Sequence, residues 1–247
     1  MLKNIKKFNK VSILIPVYNE QSTIKLIIKK VLVADIINLN LEIIIVDDCS
    51  TDGTWAEIQK FNQIHDCILL LKHSSNKGKG AAIRTAIERA TGEIILIQDA
   101  DLEYDPKDYP ALLYPILENK ADVVYGSRFR TNSATRVLFF WHRVANGVLT
   151  LLSNMFTNLN LTDMETGYKA FTKEVISQVK LCENRFGIEP EITAKIAKIS
   201  NIRIYEVGIS YFGRTYEEGK KIGMKDAFRA FYAIIKYGCF LGKHSNK

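Results

Sequence analysis

Residues Gly92–Glu103 read GEIILIQDADLE. The run Ile94–Gln98 is short and apolar on both faces, as expected of a strand buried in a parallel sheet. Asp99, Asp101 and Glu103 then leave its end at alternate positions. Three carboxylates so close repel one another unless positive charge sits among them. A hard divalent cation bridging phosphates meets that need, because magnesium takes one or two carboxylates plus substrate phosphate oxygens. The opposing reading is a strand that ends in a solvated acidic turn, and an isolated D-x-D does not exclude it.

The flanking sequence weighs against the solvated turn. Strand candidates Val11–Val17, Leu41–Val46, Ile68–Lys72 and Val123–Gly126 share the same short apolar character. Helical patterns lie between them at Ser22–Val33, Thr54–Phe61, Ala81–Ala90 and Lys107–Leu117. This alternation predicts an α/β fold, an open doubly wound and mostly parallel sheet with helices on both faces. Ligands of such sheets bind beyond the carboxyl ends of the strands. A polar motif follows every strand at that rim: Tyr18-Asn19-Glu20, Asp47 to Thr54, Asn76-Lys77-Gly78-Lys79-Gly80, the carboxylate triplet, and Gly126-Ser127-Arg128. Unrelated solvated loops would scatter such motifs over both rims.

Each motif has a chemistry and a plainer alternative. Asp48 can accept hydrogen bonds from a nucleobase or a ribose, or it is structural; Asp52, before Gly53-Thr54, reads as a turn and helix cap. Lys77 and Lys79 flank a glycine ahead of a helix, where backbone amides and positive charge suit a diphosphate. The loop is neither a P-loop nor a G-x-G-x-x-G fingerprint, and a solvated basic loop is the alternative. Arg128 can grip phosphate bidentately or pair with a nearby carboxylate. Arg214 and Lys220 belong to a glycine-flanked basic loop that could fold over sugar or phosphates as a lid. Acidic groups in Asp163-Met164-Glu165 and Glu189-Pro190-Glu191 offer a general base if the acceptor is a hydroxyl. An acceptor phosphate is already anionic and needs none. The four histidines have no metal-ligand spacing.

Composition sets the frame. The 247 residues suit one large domain, with a half at 1–130 and a second half at 131–247. The net charge of +7 is concentrated at the ends. Residues 1–10 hold four lysines and no acid, and residues 213–247 hold eight Lys/Arg against three acids. Such ends fit anionic lipid or an anionic substrate. Nucleic acid is not expected, because no nucleic-acid-binding motif accompanies the charge. Cys49, Cys67, Cys182 and Cys239 form no C-x-x-C pair, which fits a reducing, cytoplasmic setting. Pro16 and the polar motif after Val17 exclude a signal peptide, and no apolar run reaches the ~18 residues of a spanning helix. The segment Val137–Phe156 is rich in bulky apolar side chains, and Lys225–Phe240 reads as a terminal amphipathic helix. The first is either core or a membrane-interface helix.

Together, VSILIPVYNE (11–20), IVDDCSTDGT (45–54), NKGKGAA (76–82), GEIILIQDADLE (92–103), GSRF (126–129) and TGYKAF (166–171) resemble the family 2 inverting glycosyltransferases of the GT-A fold. The subgroup is similar to the dolichyl- or polyprenyl-phosphate sugar synthases. The resemblance implies that Pro16, Tyr18 and Glu20 line the nucleotide pocket, with Asp48 on the base or ribose. It implies that Asp99 touches the nucleotide-sugar and that Asp101 binds Mg2+ or Mn2+ with help from Glu103, where many relatives have Gln. Asp99, Asp101, Arg128 and Arg214 would be the catalytic set, with Arg128, Arg214 and Lys220 on acceptor or donor phosphate. A nucleotide-sugar donor, a polyprenyl-phosphate acceptor and peripheral attachment to the cytoplasmic face of an anionic membrane follow from it. A family 2 enzyme acting on a glycan hydroxyl in polysaccharide synthesis is the alternative. A basic membrane- or nucleic-acid-binding module with a decayed sugar site is a third, and the intact carboxylate triplet speaks against it.

Overall fold

Seven strands form one sheet in the order β3-β2-β1-β4-β6-β5-β7 in a computed structural model that describes residues 7–130, 136–137, 139–214 and 224–239. The strands are β1 (Lys10–Val17), β2 (Asn40–Asp47), β3 (Ile68–Lys72), β4 (Ile94–Ile97), β5 (Val123–Ser127), β6 (Lys169–Thr172) and β7 (Ile204–Gly208). β3, β2, β1 and β4 are parallel neighbours, as are β5 and β7. Only β6 runs the other way, between β4 and β5. It is the strand that pattern reading misses, whereas Ile202–Ile209 reads as the strand that becomes β7. Its sequence, Lys-Ala-Phe-Thr, is four residues long and carries a charge, yet all four residues are buried.

Both faces are covered, and the strands show it residue by residue. Ile13, Ile15, Ile43, Ile45, Ile94 and Leu96 pack into one core cluster, while Leu14, Ile44, Val46, Ile95 and Ile97 pack into the other. This is the period of two expected of a strand with an apolar layer on each side. The first cluster is closed by α1 (Ile24–Leu32), α2 (Thr54–Asn62) and α4 (Tyr109–Leu117) through Ile24, Ile27, Ile28, Ile58, Leu112 and Ile116. The second is closed by α3 (Lys79–Arg89), α6 (Lys173–Ile176), α7 (Ile188–Ile196) and α8 (Met224–Cys239), through residues such as Ile83, Ile188, Ile192 and Ile234. α7 also escapes sequence reading, because Pro190 and two glutamates open it. Proline is tolerated in a first helical turn, where its missing N–H is not needed.

The segment Val137–Phe156 supplies one continuous helix, α5 (Phe140–Thr157). Its burial is inverted. Thr150 and Ser153 are its buried residues, whereas Phe140, Val148 and Leu151 are exposed, with Trp141 at 74% and Met155 at 71%. Among the described residues no helix is long and apolar enough to cross a membrane.

Besides its apolar packing and a bond from Lys198 Nζ to the Tyr237 carbonyl (2.9 Å), α8 is fastened by one carboxylate. Glu183 is buried and accepts from Arg229 Nη2 (2.7 Å), Lys236 Nζ (3.1 Å) and Tyr237 OH (3.0 Å), all on α8. Its own backbone carbonyl packs against Gly80 and accepts from Arg84 on α3. Glu183→Ala should therefore loosen α8 and lower stability by about 1–3 kcal/mol, at the lower end because Arg229 and Lys236 are half-exposed. The readouts are calorimetric melting and the rate of proteolysis within α8; an unchanged melt with unchanged proteolysis would remove this clamp.

Candidate active site

The rim at the carboxyl ends of β1, β2 and β4 gathers most of the expected residues. Leu102 sits at φ 63°, a left-handed conformation uncommon for leucine. Asn19 (φ 51°) and Cys49 (φ 63°), in the motifs after β1 and β2, share it. Backbone strain of this kind collects where loops must present particular groups. Asp101 Oδ1 accepts from the Glu103 amide (3.1 Å), which tightens the turn around Leu102.

Arg214 enters from a distant part of the chain and lies among the carboxylates. Its Nη2 is 3.3 Å from Asp101 Oδ2 and 3.3 Å from Glu20 Oε1. Its backbone N–H donates to Glu103 Oε1 (2.8 Å), and Tyr211 OH donates to Glu103 Oε2 (2.9 Å). Glu103 is thus engaged in holding the 211–214 segment, and of the two expected metal ligands Asp101 lies closer to the Arg214 guanidinium, at 3.3 Å against 4.0 Å. Burial, with Asp99 and Glu103 close by, pushes the Asp101 carboxyl up to about 7. Among the described residues no three His, Cys, Asp or Glu side chains converge on a closed metal site. The donors fit a hard cation that completes its shell with phosphate oxygens and water.

Asp99 faces the other way. Lys79 Nζ lies 2.8 Å from Asp99 Oδ1 and 3.3 Å from Glu189 Oε1. Glu189 in turn pairs with the fully buried Lys169 at 2.6 Å. Lys79 is therefore tied to carboxylates rather than open to solvent; burial opposes its charge, but Asp99 and Glu189 raise its pKa. Gly167 packs directly on the Asp99 carboxylate, in space that a Cβ would occupy. Beneath this lies a tyrosine layer. Tyr104 stacks on Tyr168 with ring centroids 4.7 Å apart. Tyr168 OH (2.6 Å) and Tyr109 OH (2.8 Å) both donate to Gln98 Oε1. Tyr104 OH accepts from the Gly167 amide (2.9 Å).

The remaining expected residues separate into two groups. Pro16 and Glu20 are buried, while Tyr18 and Lys77 are exposed. Asp48, 3% exposed, holds the loop after β3: Oδ1 accepts from Lys77 N (2.9 Å), Oδ2 accepts from Gly78 N (2.6 Å), and His73 Nδ1 lies 2.6 Å from Oδ1. Its geometry is that of a loop organiser. Gly78, at φ 101° and packed on the Asn184 carbonyl, has no room for a side chain. Arg128 is bidentate to the buried Asp163, through Nε and Nη2 at 2.6 Å each, so the salt-bridge alternative describes it here. It also bonds Asn146 of α5 (3.0 Å) and lies 5.2 Å from the Tyr211 ring. Lys220, and the basic loop from residue 215 to 223, fall outside the described residues. Glu191, weighed above as a base, accepts instead from the Cys182 and Glu183 amides (2.8 and 2.7 Å) and from Lys195.

The family model for glycosyl transferase family 2 matches residues 12–180. The chain belongs to that family. It is similar to a dolichol-phosphate mannosyltransferase of Pyrococcus furiosus, 28% identical over 232 residues, which cover 92% of this chain and 64% of that enzyme. It is also 26% identical to a UDP-N-acetylglucosamine–dolichyl-phosphate N-acetylglucosaminyltransferase of Methanococcus voltae, covering 90% of this chain and 94% of the relative. The chain thus spans just under two thirds of the Pyrococcus enzyme's length. Among solved structures, a glucosyl-3-phosphoglycerate synthase of Mycobacterium tuberculosis, crystallised with Mn2+, UDP and phosphoglyceric acid, superposes with a TM-score of 0.72. The two are 17% identical, over 94% of this chain and 79% of that one. That likeness supports the GT-A fold. As a family 2 glycosyltransferase this chain is a transferase.

Two outcomes are expected. Gly167→Ala should push the Asp99 carboxylate off Lys79 and reduce turnover about ten-fold or more, with the melting temperature little changed; full activity would show that the Asp99–Lys79 geometry is not needed. Apparent affinity for Mn2+, measured by titration calorimetry, should rise with pH across about 6 to 8, because below about 7 a cation must displace the Asp101 proton. The rise should vanish in Asp101→Asn, and a pH-independent wild-type affinity would remove Asp101 as the ligand.

Proposed function

We propose that this protein moves a hexose from a UDP- or GDP-linked donor to a polyprenyl or dolichyl phosphate, inverting the anomeric configuration. The observation that carries the lipid acceptor is α5. One side of this helix bonds Arg128 at the rim through Asn146, while Phe140, Trp141, Leu151 and Met155 stand exposed on it. A helix with bulky apolar side chains turned outward, anchored beside the reaction rim through Asn146, suits a phosphate that arrives on a lipid. The relatives named above, which act on dolichyl phosphate, support the same reading. So does a dodecaprenyl-phosphate galacturonate synthase of Rhizobium johnstonii, 26% identical over 93% of this chain.

The acceptor phosphate attacks the anomeric carbon in line as the nucleoside diphosphate leaves. The nucleophile is already anionic and needs no side-chain base. The chain's part is positioning and charge stabilisation. Lys79 orients Asp99 towards the donor, and Arg214 stands ready beside Asp101 to meet the leaving diphosphate. Mg2+ or Mn2+ held by Asp101 would neutralise charge on that leaving group. Attachment is peripheral, through α5 and the basic ends, on the cytoplasmic face of an anionic membrane.

Purified protein incubated with Mn2+, a panel of nucleotide-hexoses and either polyprenyl phosphate or a glycan should label the lipid phosphate. Transfer to the glycan hydroxyl alone would overturn the acceptor. The protein should float with anionic vesicles at low salt and less at high salt. Replacing Phe140 and Trp141 by Ser should weaken flotation further, and no flotation at low salt would remove the membrane attachment.

A further inference from the structure

Three buried side-chain polar atoms among the described residues lack a hydrogen-bond partner: Glu165 Oε1, Glu189 Oε1 and Arg214 Nε. Buried polar atoms in folded proteins are nearly always paired, so each orphan calls for an explanation. Arg214 Nε lies 4.0 Å from Glu103 Oε1, and Glu189 Oε1 has the Lys79 ammonium at 3.3 Å. Glu165 Oε1 has neither kind of relief.

The surroundings of Glu165 make this more than a local defect. The charges facing it are Glu189 on α7, Lys169 on β6, Arg128 after β5, and Asp163 on its own loop. Both cations are committed, Lys169 to Glu189 and Arg128 to Asp163. Glu165 is therefore a surplus carboxyl in a cluster already neutral without it. Burial, and then Glu189, push it up to about 7. Carboxylates with structural roles in this protein look different. Glu183 has three donors on α8, and Glu191 has two amides and a lysine.

Topology places the group at the reaction rim. β6 runs antiparallel to β4, so the chain enters β6 at Lys169 on the edge where β4 delivers Asp99. Gly167, two residues from Glu165, packs on the Asp99 carboxylate. A phosphate would be repelled by a surplus carboxyl whose neighbouring cations, Lys169 and Arg128, are already paired. A hydroxyl would supply the missing donor.

We propose that Glu165 is a sugar-recognition residue, its Oε1 accepting a hydrogen bond from one hydroxyl of the hexose being transferred. This rests on the reading that a nucleotide-hexose binds at the rim.

The test compares kcat/KM of wild type, Glu165→Ala and Glu165→Gln on the best nucleotide-hexose and on its analogues deoxygenated at each ring position in turn. In the wild type one analogue should be used about ten-fold or more worse than the parent. Glu165→Ala should handle that analogue and the parent alike, with its ratios for the other analogues unchanged. A variant that loses activity equally on every donor, keeping the wild-type selectivity, would overturn the proposal. Should the alanine variant not fold, the near-isosteric glutamine decides. As pH rises through about 7 the ionising carboxyl becomes a stronger acceptor, so the wild-type penalty for the deoxy donor should grow, while in Glu165→Gln it should stay flat. The same pH dependence in both would overturn the proposal. Failure in the variants leaves the glycosyl-transfer reading intact, whereas a wild type that uses no nucleotide-hexose removes that reading and this inference together.

Discussion

Mutual repulsion among Asp99, Asp101 and Glu103 is the constraint around which the rim is organised. β4 ends in the middle of the sheet and delivers three carboxylates into one turn. Each is relieved by a group from far away in sequence: Asp99 by Lys79, Asp101 by Arg214, Glu103 by Tyr211 and the Arg214 amide. The relief is incomplete at Asp101, which keeps its proton to about neutral pH. That residual demand for positive charge is what a cation-bound diphosphate can satisfy.

The partners that relieve it also tie the rim to the outer parts of the fold. Lys79 leads, through Glu189, to Lys169 and the antiparallel strand. The glycines beside Lys79 pack against residues 183–184, and the Glu183 side chain holds α8. Arg128 joins Asp163 to Asn146 of α5. The two helices with exposed apolar side chains, α5 and α8, each bond a buried carboxylate, Asp163 for α5 and Glu183 for α8. Where those helices settle will be felt at the site, because such bonds have few alternative geometries.

Much of this was legible in the chain. The two-sided apolar strands, the alternating helices and the polar motif after each strand predict the sheet, its layers and the rim that carries the chemistry, because burial on both faces leaves no other pattern for a parallel strand. β6 was not legible. A four-residue strand with a buried lysine looks polar, and it is Glu189, twenty residues on, with the Thr166 carbonyl, that makes that lysine tolerable in the core. The Glu189–Pro190–Glu191 motif looked like a loop with a candidate base. In the fold it is the first turn of a helix whose two carboxylates serve Lys169 with Lys79, and a neighbouring backbone turn with Lys195.

What the sequence determined by itself was which residues stand at the ends of which strands, since strand periodicity is a local property of the chain. It also determined the family, through motifs that keep their order along the chain. Only the tertiary structure decided which charges meet. Asp48 organises a loop, Arg128 pairs with Asp163, Glu103 holds the segment before the basic loop, and Glu165 Oε1 is left without a hydrogen-bond partner. Electrostatic pairing depends on distances of a few ångströms between residues tens of positions apart, and those distances exist only once the sheet has closed.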